Sequence, residues 1–176
     1  MREVIKRLFL VFLFLAIAVP AALSLGIARW TYPTKIKTYI PANNKRTVMM
    51  KHAFQEWTRK TNNRVVFVYV TDPKNAQIEV KFVKVIPNAD REIGLTKSRY
   101  VGNAYSHADI YIAENTVTGH QLSNDNVYTV MLHEIGHAIG LPHSGNILSI
   151  MYPSEDDRQE IRAIDLEMLS DIYKWK

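Results

Sequence analysis

The chain has 176 residues, 47% of them apolar and 22% charged, a formal net charge of +5 and no cysteine. This composition describes one globular domain of modest size, with no internal repeat, and argues against a disordered chain. The missing cysteine excludes disulfides, thiolate metal ligands and thiol nucleophiles; the basic excess includes no cluster interleaved with aromatics, so no nucleic-acid partner is expected.

Lys6 and Arg7 precede an apolar run from Leu8 to Val19. A basic end followed by such a run has the form of a secretory signal, with Ala22-Leu23-Ser24 as a cleavage site after Pro20. Charge-free sequence continues to Ala28, long enough to cross a bilayer if uncut, which takes about 20 residues. Residues 1–28 therefore read as a signal peptide or an N-terminal membrane anchor, and both readings stay open. In either case Arg2, Lys6 and Arg7 favour a cytoplasmic N-terminus. Residues 29–176 would then lie outside the cytoplasm, secreted or membrane-anchored.

From there the pattern predicts a strand over Lys35–Ile40, where polar and apolar residues alternate, and a turn at Pro41–Asn44. Val48, Met49, Ala53 and Trp57 recur at helical spacing and predict a helix over Arg46–Lys60. The run Arg64–Val70 reads as a buried strand, Gln77–Val83 as a third strand and Ala108–Ala113 as a fourth. Residues 87–103, with Pro87, Gly94 and Gly102, read as a long loop. Ser123-Asn124-Asp125 caps a helix that runs to Ala138 or Ile139. Ile161, Ile164, Met168, Ile172 and Trp175 form the apolar stripe of a last helix over Glu160–Trp175. Strand, helix, three strands and two helices make an α+β fold with a mixed sheet.

The chemistry sits in the segment His133-Glu134-Ile135-Gly136-His137-Ala138-Ile139-Gly140-Leu141-Pro142-His143. His133 and His137 are four apart on a predicted helix, so both imidazoles can reach one metal ion. Gly140 can take the left-handed conformation that ends the helix, and Pro142 stiffens the turn, so that His143 swings back as a third ligand. Three neutral imidazoles leave one tetrahedral position open, the arrangement of a catalytic zinc. Glu134, beside the first ligand, can face a water on that metal and act as general base, which points to peptide-bond hydrolysis.

This segment resembles the zinc-binding motif of the metzincin clan of metallopeptidases, and within it that of the matrixins, the family of the matrix metalloproteinases. Ser149-Ile150-Met151-Tyr152-Pro153 resembles the family's Met-turn, and the last helix, with Ile161, Asp165, Ile172 and Tyr173, resembles its C-terminal helix. The likeness extends more loosely over residues 30–176. It implies a metzincin-like catalytic domain, a mixed twisted sheet with an edge strand lining the cleft. It implies zinc on His133, His137 and His143, Glu134 as catalytic base, and Met151 as a hydrophobic floor under the metal. Pro153 stands where the astacins and serralysins carry a metal-approaching tyrosine, so by this resemblance Tyr152 is expected to be a packing residue.

By the same resemblance, Asp109–Ala113 would be the edge strand that pairs with an extended peptide or protein substrate. Pro153–Gln159 would wall the pocket for an apolar residue after the scissile bond. Animal matrixins also carry a structural zinc and calcium. Here His107 has no evident set of partners, so one catalytic zinc is expected; His52, His107 and His120 read as solvated or hydrogen-bonded side chains. Asp90, Glu92, Asp109 and Glu114 could contribute to a calcium site, but nothing in the pattern joins them. The chain is expected to be a monomer; with no cysteine, and no acidic residue between Glu3 and Glu56, its own N-terminus is not expected to hold it latent.

Overall fold

The fold was read from a computed structural model that describes residues 28–86, 92–116, 118–153 and 160–175. The apolar run at the N-terminus lies outside the described residues, and with it the choice between signal and anchor. Among the described residues no helix is long and apolar enough to cross a membrane.

Among the described residues, five strands and three α-helices form. They are β1 (Ile36–Tyr39), α1 (Thr47–Lys60), β2 (Phe67–Tyr69), β3 (Ile78–Val83), β4 (Gly94–Val101), β5 (Ala104–Ala113), α2 (Asn124–Ala138) and α3 (Ala163–Tyr173). They build one mixed sheet in the order β2-β1-β3-β5-β4, an α+β fold as the sequence predicts. The first four strands in that order run parallel, and β4 pairs antiparallel with β5.

Alternation along the strands sends Ile36, Ile78, Val80, Ala108, Ile110 and Ile112 to one buried face. There they join Met50, Ala53, Phe54 and Trp57 of α1 and Met131, Leu132 and Ile135 of α2 in a single core. Each large side chain buried in this way contributes roughly 1.5–3 kcal/mol. The two helices are also pinned by a polar contact inside the core, where Trp57 Nε1 donates to the Leu132 carbonyl at 2.9 Å. The opposite face of the sheet carries Glu79, Lys81, His107 and Asp109, and these pair with one another.

Three expectations need correction. The first concerns residues 87–103, which are not all loop, because Gly94–Val101 is strand β4. Gly94 opens the strand, and Gly102 lies in the turn after it at φ +56°, so the glycines bracket the strand rather than break it. The second concerns the edge. Asp109–Ala113 is interior, since β5 is hydrogen-bonded to β3 on one side and β4 on the other. The edge strand is β4. The third concerns Arg64–Val70, whose strand is only Phe67–Tyr69; it lies at the other edge and leaves Val68 and Tyr69 partly exposed. Asn62 and Asn63, both at positive φ, use up the residues before it in leaving α1.

Helix α2 begins as predicted. Ser123 Oγ accepts from the Asn126 amide at 3.1 Å. It ends in a tight reversal at Gly140, φ +113°, where Gly140 N donates to the His137 carbonyl and Leu141 N to the Gly136 carbonyl. The segment before β1 braces this end, because Trp30 Nε1 donates to the Ala138 carbonyl at 2.8 Å. Tyr173 Oη of α3 donates to the Ile139 carbonyl at 3.0 Å. The reversal that turns the chain towards His143 is thus held from two sides.

Candidate metal centre

A cleft of about 800 Å³ runs between edge strand β4 and helix α2. His133, Glu134 and His137 enter it from α2, and His143 from the loop after Gly140. Leu95, Thr96 and Ser98 line it from β4, Tyr105 from β5, and Pro153 from the turn that follows Ser149.

The three histidines come together. Their ring centroids are 4.6 Å (His133–His137), 4.7 Å (His137–His143) and 5.3 Å (His133–His143) apart. One nitrogen from each lies within 4.8 Å of the others, so the group could hold a metal ion. Two rings are oriented by backbone. His133 Nδ1 is 2.7 Å from the Ile150 carbonyl, and His137 Nδ1 is 2.8 Å from the Leu141 carbonyl. A carbonyl only accepts, so each Nδ1 carries its proton and each Nε2 keeps a free lone pair.

Burial, helped by the neighbouring imidazoles, pulls His137 down to about 4 and His133 below the ordinary histidine range. Both are therefore neutral at pH 7, the form that binds a cation. The residues fit zinc on this ground: three imidazole nitrogen donors, two of them neutral with fixed tautomers, converge on one point.

Glu134 lies beside them and is 5% exposed. Burial pushes its carboxyl up to about 7, while a hydrogen bond with Thr96 pulls the other way. Thr96 Oγ1 is 2.7 Å from Oε2 and 2.9 Å from the Glu134 carbonyl oxygen. Met151 is buried against Gly136, the residue before His137: a β-carbon built on Gly136 would collide with its sulfur. Ile150, the residue before Met151, carries the carbonyl that orients His133.

The other charged candidates are dispersed. Glu114 Oε1 accepts from Asn44 Nδ2 at 2.9 Å, Glu92 is exposed at the cleft, and Asp90 lies outside the described residues. His107, expected to lack a set of partners, has one. Its Nε2 is 3.2 Å from Asp109 Oδ1, and with Glu79 the pair forms a second cluster of metal-ligating type on the outer sheet face. Lys81 Nζ occupies that cluster, 2.8 Å from Asp109 Oδ1 and 3.5 Å from Glu79 Oε2, so its carboxylates are already balanced by a cation. His52 is exposed, and His120 Nδ1 is 2.9 Å from the Thr118 hydroxyl, in keeping with the reading of both as solvated or hydrogen-bonded.

Sequence reasoning missed Gly94 and Thr96. The one local signal was Gly102-Asn103, a pair that favours a hairpin turn; Leu95-Thr96-Lys97-Ser98-Arg99 before it has a single apolar residue and no alternation to mark a strand.

A cleft beside an edge strand, with two imidazoles and a buried carboxylate on one helix and a third imidazole on the loop after it, defines a candidate metallohydrolase centre. The sequence matches the matrixin family over residues 28–174, and the chain belongs to that family. It is 29% identical over 158 residues to the interstitial collagenase of Oryctolagus cuniculus, covering 79% of this chain and 33% of that protein. It is 29% identical over 131 residues to the macrophage metalloelastase of the same species, covering 68% of this chain and 26% of that protein. It is 44% identical over 52 residues to matrix metalloproteinase-26 of Homo sapiens, covering 27% of this chain and 20% of that protein. The chain thus spans a third or less of the length of these relatives.

Proposed function

We propose that the protein is a zinc-dependent endopeptidase, with His133, His137 and His143 as zinc ligands and Glu134 as general base. The observation that carries this reading is the convergence of three imidazoles, two with their Nδ1 atoms tied to backbone carbonyls, beside a carboxylate that is 5% exposed.

The edge of β4 offers unpaired backbone groups along the cleft, and an extended peptide would add there as a further strand. This puts the scissile carbonyl over the three histidines and next to Glu134. A zinc ion held by these imidazoles supplies Lewis acidity, polarising the carbonyl and lowering the pKa of the attacking water. Glu134 takes the proton of that water and hands it to the leaving amine. Its burial keeps the carboxylate poorly solvated, and so more basic than an exposed one.

The side chain after the scissile bond enters the part of the cleft lined by Leu95 and Val130, which favours an apolar residue. Of the segment expected to wall that pocket, Pro153 lines the cleft, and residues 154–159 lie outside the described residues. Met151 acts as a packed support below the centre. The protein works as a monomer, secreted or membrane-anchored with this domain outside the cytoplasm.

The test is Glu134→Ala. Peptide cleavage should fall by about 10²–10⁴-fold while zinc content stays near one ion per chain. Proteome-wide cleavage-site profiling against this variant then reads the specificity. A variant that keeps its activity removes Glu134 from the chemistry.

A further inference from the structure

Strand β4 does more than border the cleft. Its residues alternate, so Gly94 and Thr96 point to the same side, towards α2. They meet the two oxygens of one carboxylate. A β-carbon on Gly94 would lie 2.5 Å from Glu134 Oε1 and 2.5 Å from Val130 Cγ1, so Oε1 occupies space that only glycine leaves. Oε2 lies 2.7 Å from Thr96 Oγ1.

From this we infer that Thr96 is a positioning residue for Glu134, holding its carboxylate in one rotamer against the strand that takes the substrate. A glutamate at this place has three side-chain torsions to fix, and α2 alone fixes none beyond the first. Threonine suits the task because its β-branch restricts χ1 and so aims the hydroxyl. The contact crosses from strand to helix, 38 residues apart in sequence. It therefore places the base and the substrate edge in one rigid frame, and misplacement of a catalytic group by about 1 Å can cost about 100-fold in rate. The inference rests on the proposed role of Glu134, but its geometric half does not.

The test uses Thr96→Val, which keeps the shape and removes the hydroxyl, and Thr96→Ser, which restores it. In zinc-loaded protein Thr96→Val should lower kcat by about 10-fold or more, with KM within about twofold and zinc content unchanged. Thr96→Ser should recover most of the loss. Thermal unfolding gives a second readout. The fall in Tm caused by Thr96→Val should be smaller in a Glu134→Ala background, which removes the carboxylate but keeps the main-chain carbonyl that Thr96 Oγ1 also reaches at 2.9 Å. An unchanged kcat in Thr96→Val, a serine variant as slow as the valine one, or additive Tm changes would each overturn the proposal. If Glu134→Ala keeps full activity but the Tm changes are still coupled, the functional reading fails while the contact stands.

Discussion

The carboxylate of Asp165 accepts a hydrogen bond from the hydroxyl of Ser149, so the last helix holds the turn that orients a candidate metal ligand. Asp165 also accepts from the amide of Ile150 at 3.3 Å and from the amide of Arg162 at 2.8 Å, where it caps α3. The Ile150 carbonyl then fixes His133 through Nδ1. One carboxylate, 0% exposed, thus serves a helix start, a turn and an imidazole. Asp165→Ala leaves two buried donors and one part-buried donor without this acceptor, which should cost about 2–4 kcal/mol. Because His133 loses its support, zinc affinity should drop by about 10–100-fold as well. Asp165→Asn, which keeps one acceptor, should fall between. Urea unfolding and a zinc competition titration check the two halves separately.

Gly136 and Met151 form a second dependence within the site. Any β-carbon at 136 enters the space of the Met151 sulfur, with Trp57 Cζ2 close behind at 3.3 Å. Gly136→Ala should gain about 1 kcal/mol of helix propensity and lose about 1–3 kcal/mol to overpacking. The net effect is destabilisation. In a Met151→Ala background, where a cavity has been opened, the same change should become neutral or stabilising. A double-mutant cycle by chemical denaturation measures this, and additive values would show that the sulfur is not the obstacle.

The parts of this site that were legible in sequence are those fixed locally. His133 and His137 share a face because of the helical repeat, and Gly140 turns the chain because of its φ of +113°. Both are set by residues close in sequence, and Trp30 and Tyr173 only brace the result. The choice of edge strand does depend on distant partners: β5 follows β4 in the chain but lies inside it in the sheet, and no pattern within Asp109–Ala113 reports its neighbours. The same holds for the Thr96–Glu134 contact, which needs β4 and α2 to pack, and for the outer cluster. There the parallel register sets Glu79 opposite Asp109, and His107 reaches the same carboxylate from two residues earlier.

Zinc should stabilise the fold as well as activate it. A ligand that binds only the folded state adds about 4 kcal/mol at 1,000 times its Kd. Adding zinc to chelator-treated protein should therefore raise Tm by several degrees, the usual response to a few kcal/mol in a domain of this size. His133→Ala, His137→Ala and His143→Ala should each remove most of that rise. His52→Ala and His120→Ala, which lie outside the group, should leave it intact. Differential scanning calorimetry with and without zinc makes the comparison.

The outer cluster should shape the acid limb of stability. Burial alone would raise the Asp109 carboxyl, but hydrogen bonds from Lys81 and His107 outweigh it and hold it below the usual carboxylate range. A carboxylate depressed in the folded state contributes stability above its unfolded pKa, about 3.9, and loses that contribution as pH falls through the lower folded value. Lys81 shifts the opposite way, raised first by its hydrogen bond with Asp109, so its share persists below about pH 10 and disappears only in strong alkali. Asp109→Asn should thus be less stable than the parent at pH 7, and the gap should close as pH falls from about 4 to 2. Urea midpoints across that range decide the matter. A gap that stays constant with pH would mean that packing, not charge, is what Asp109 supplies.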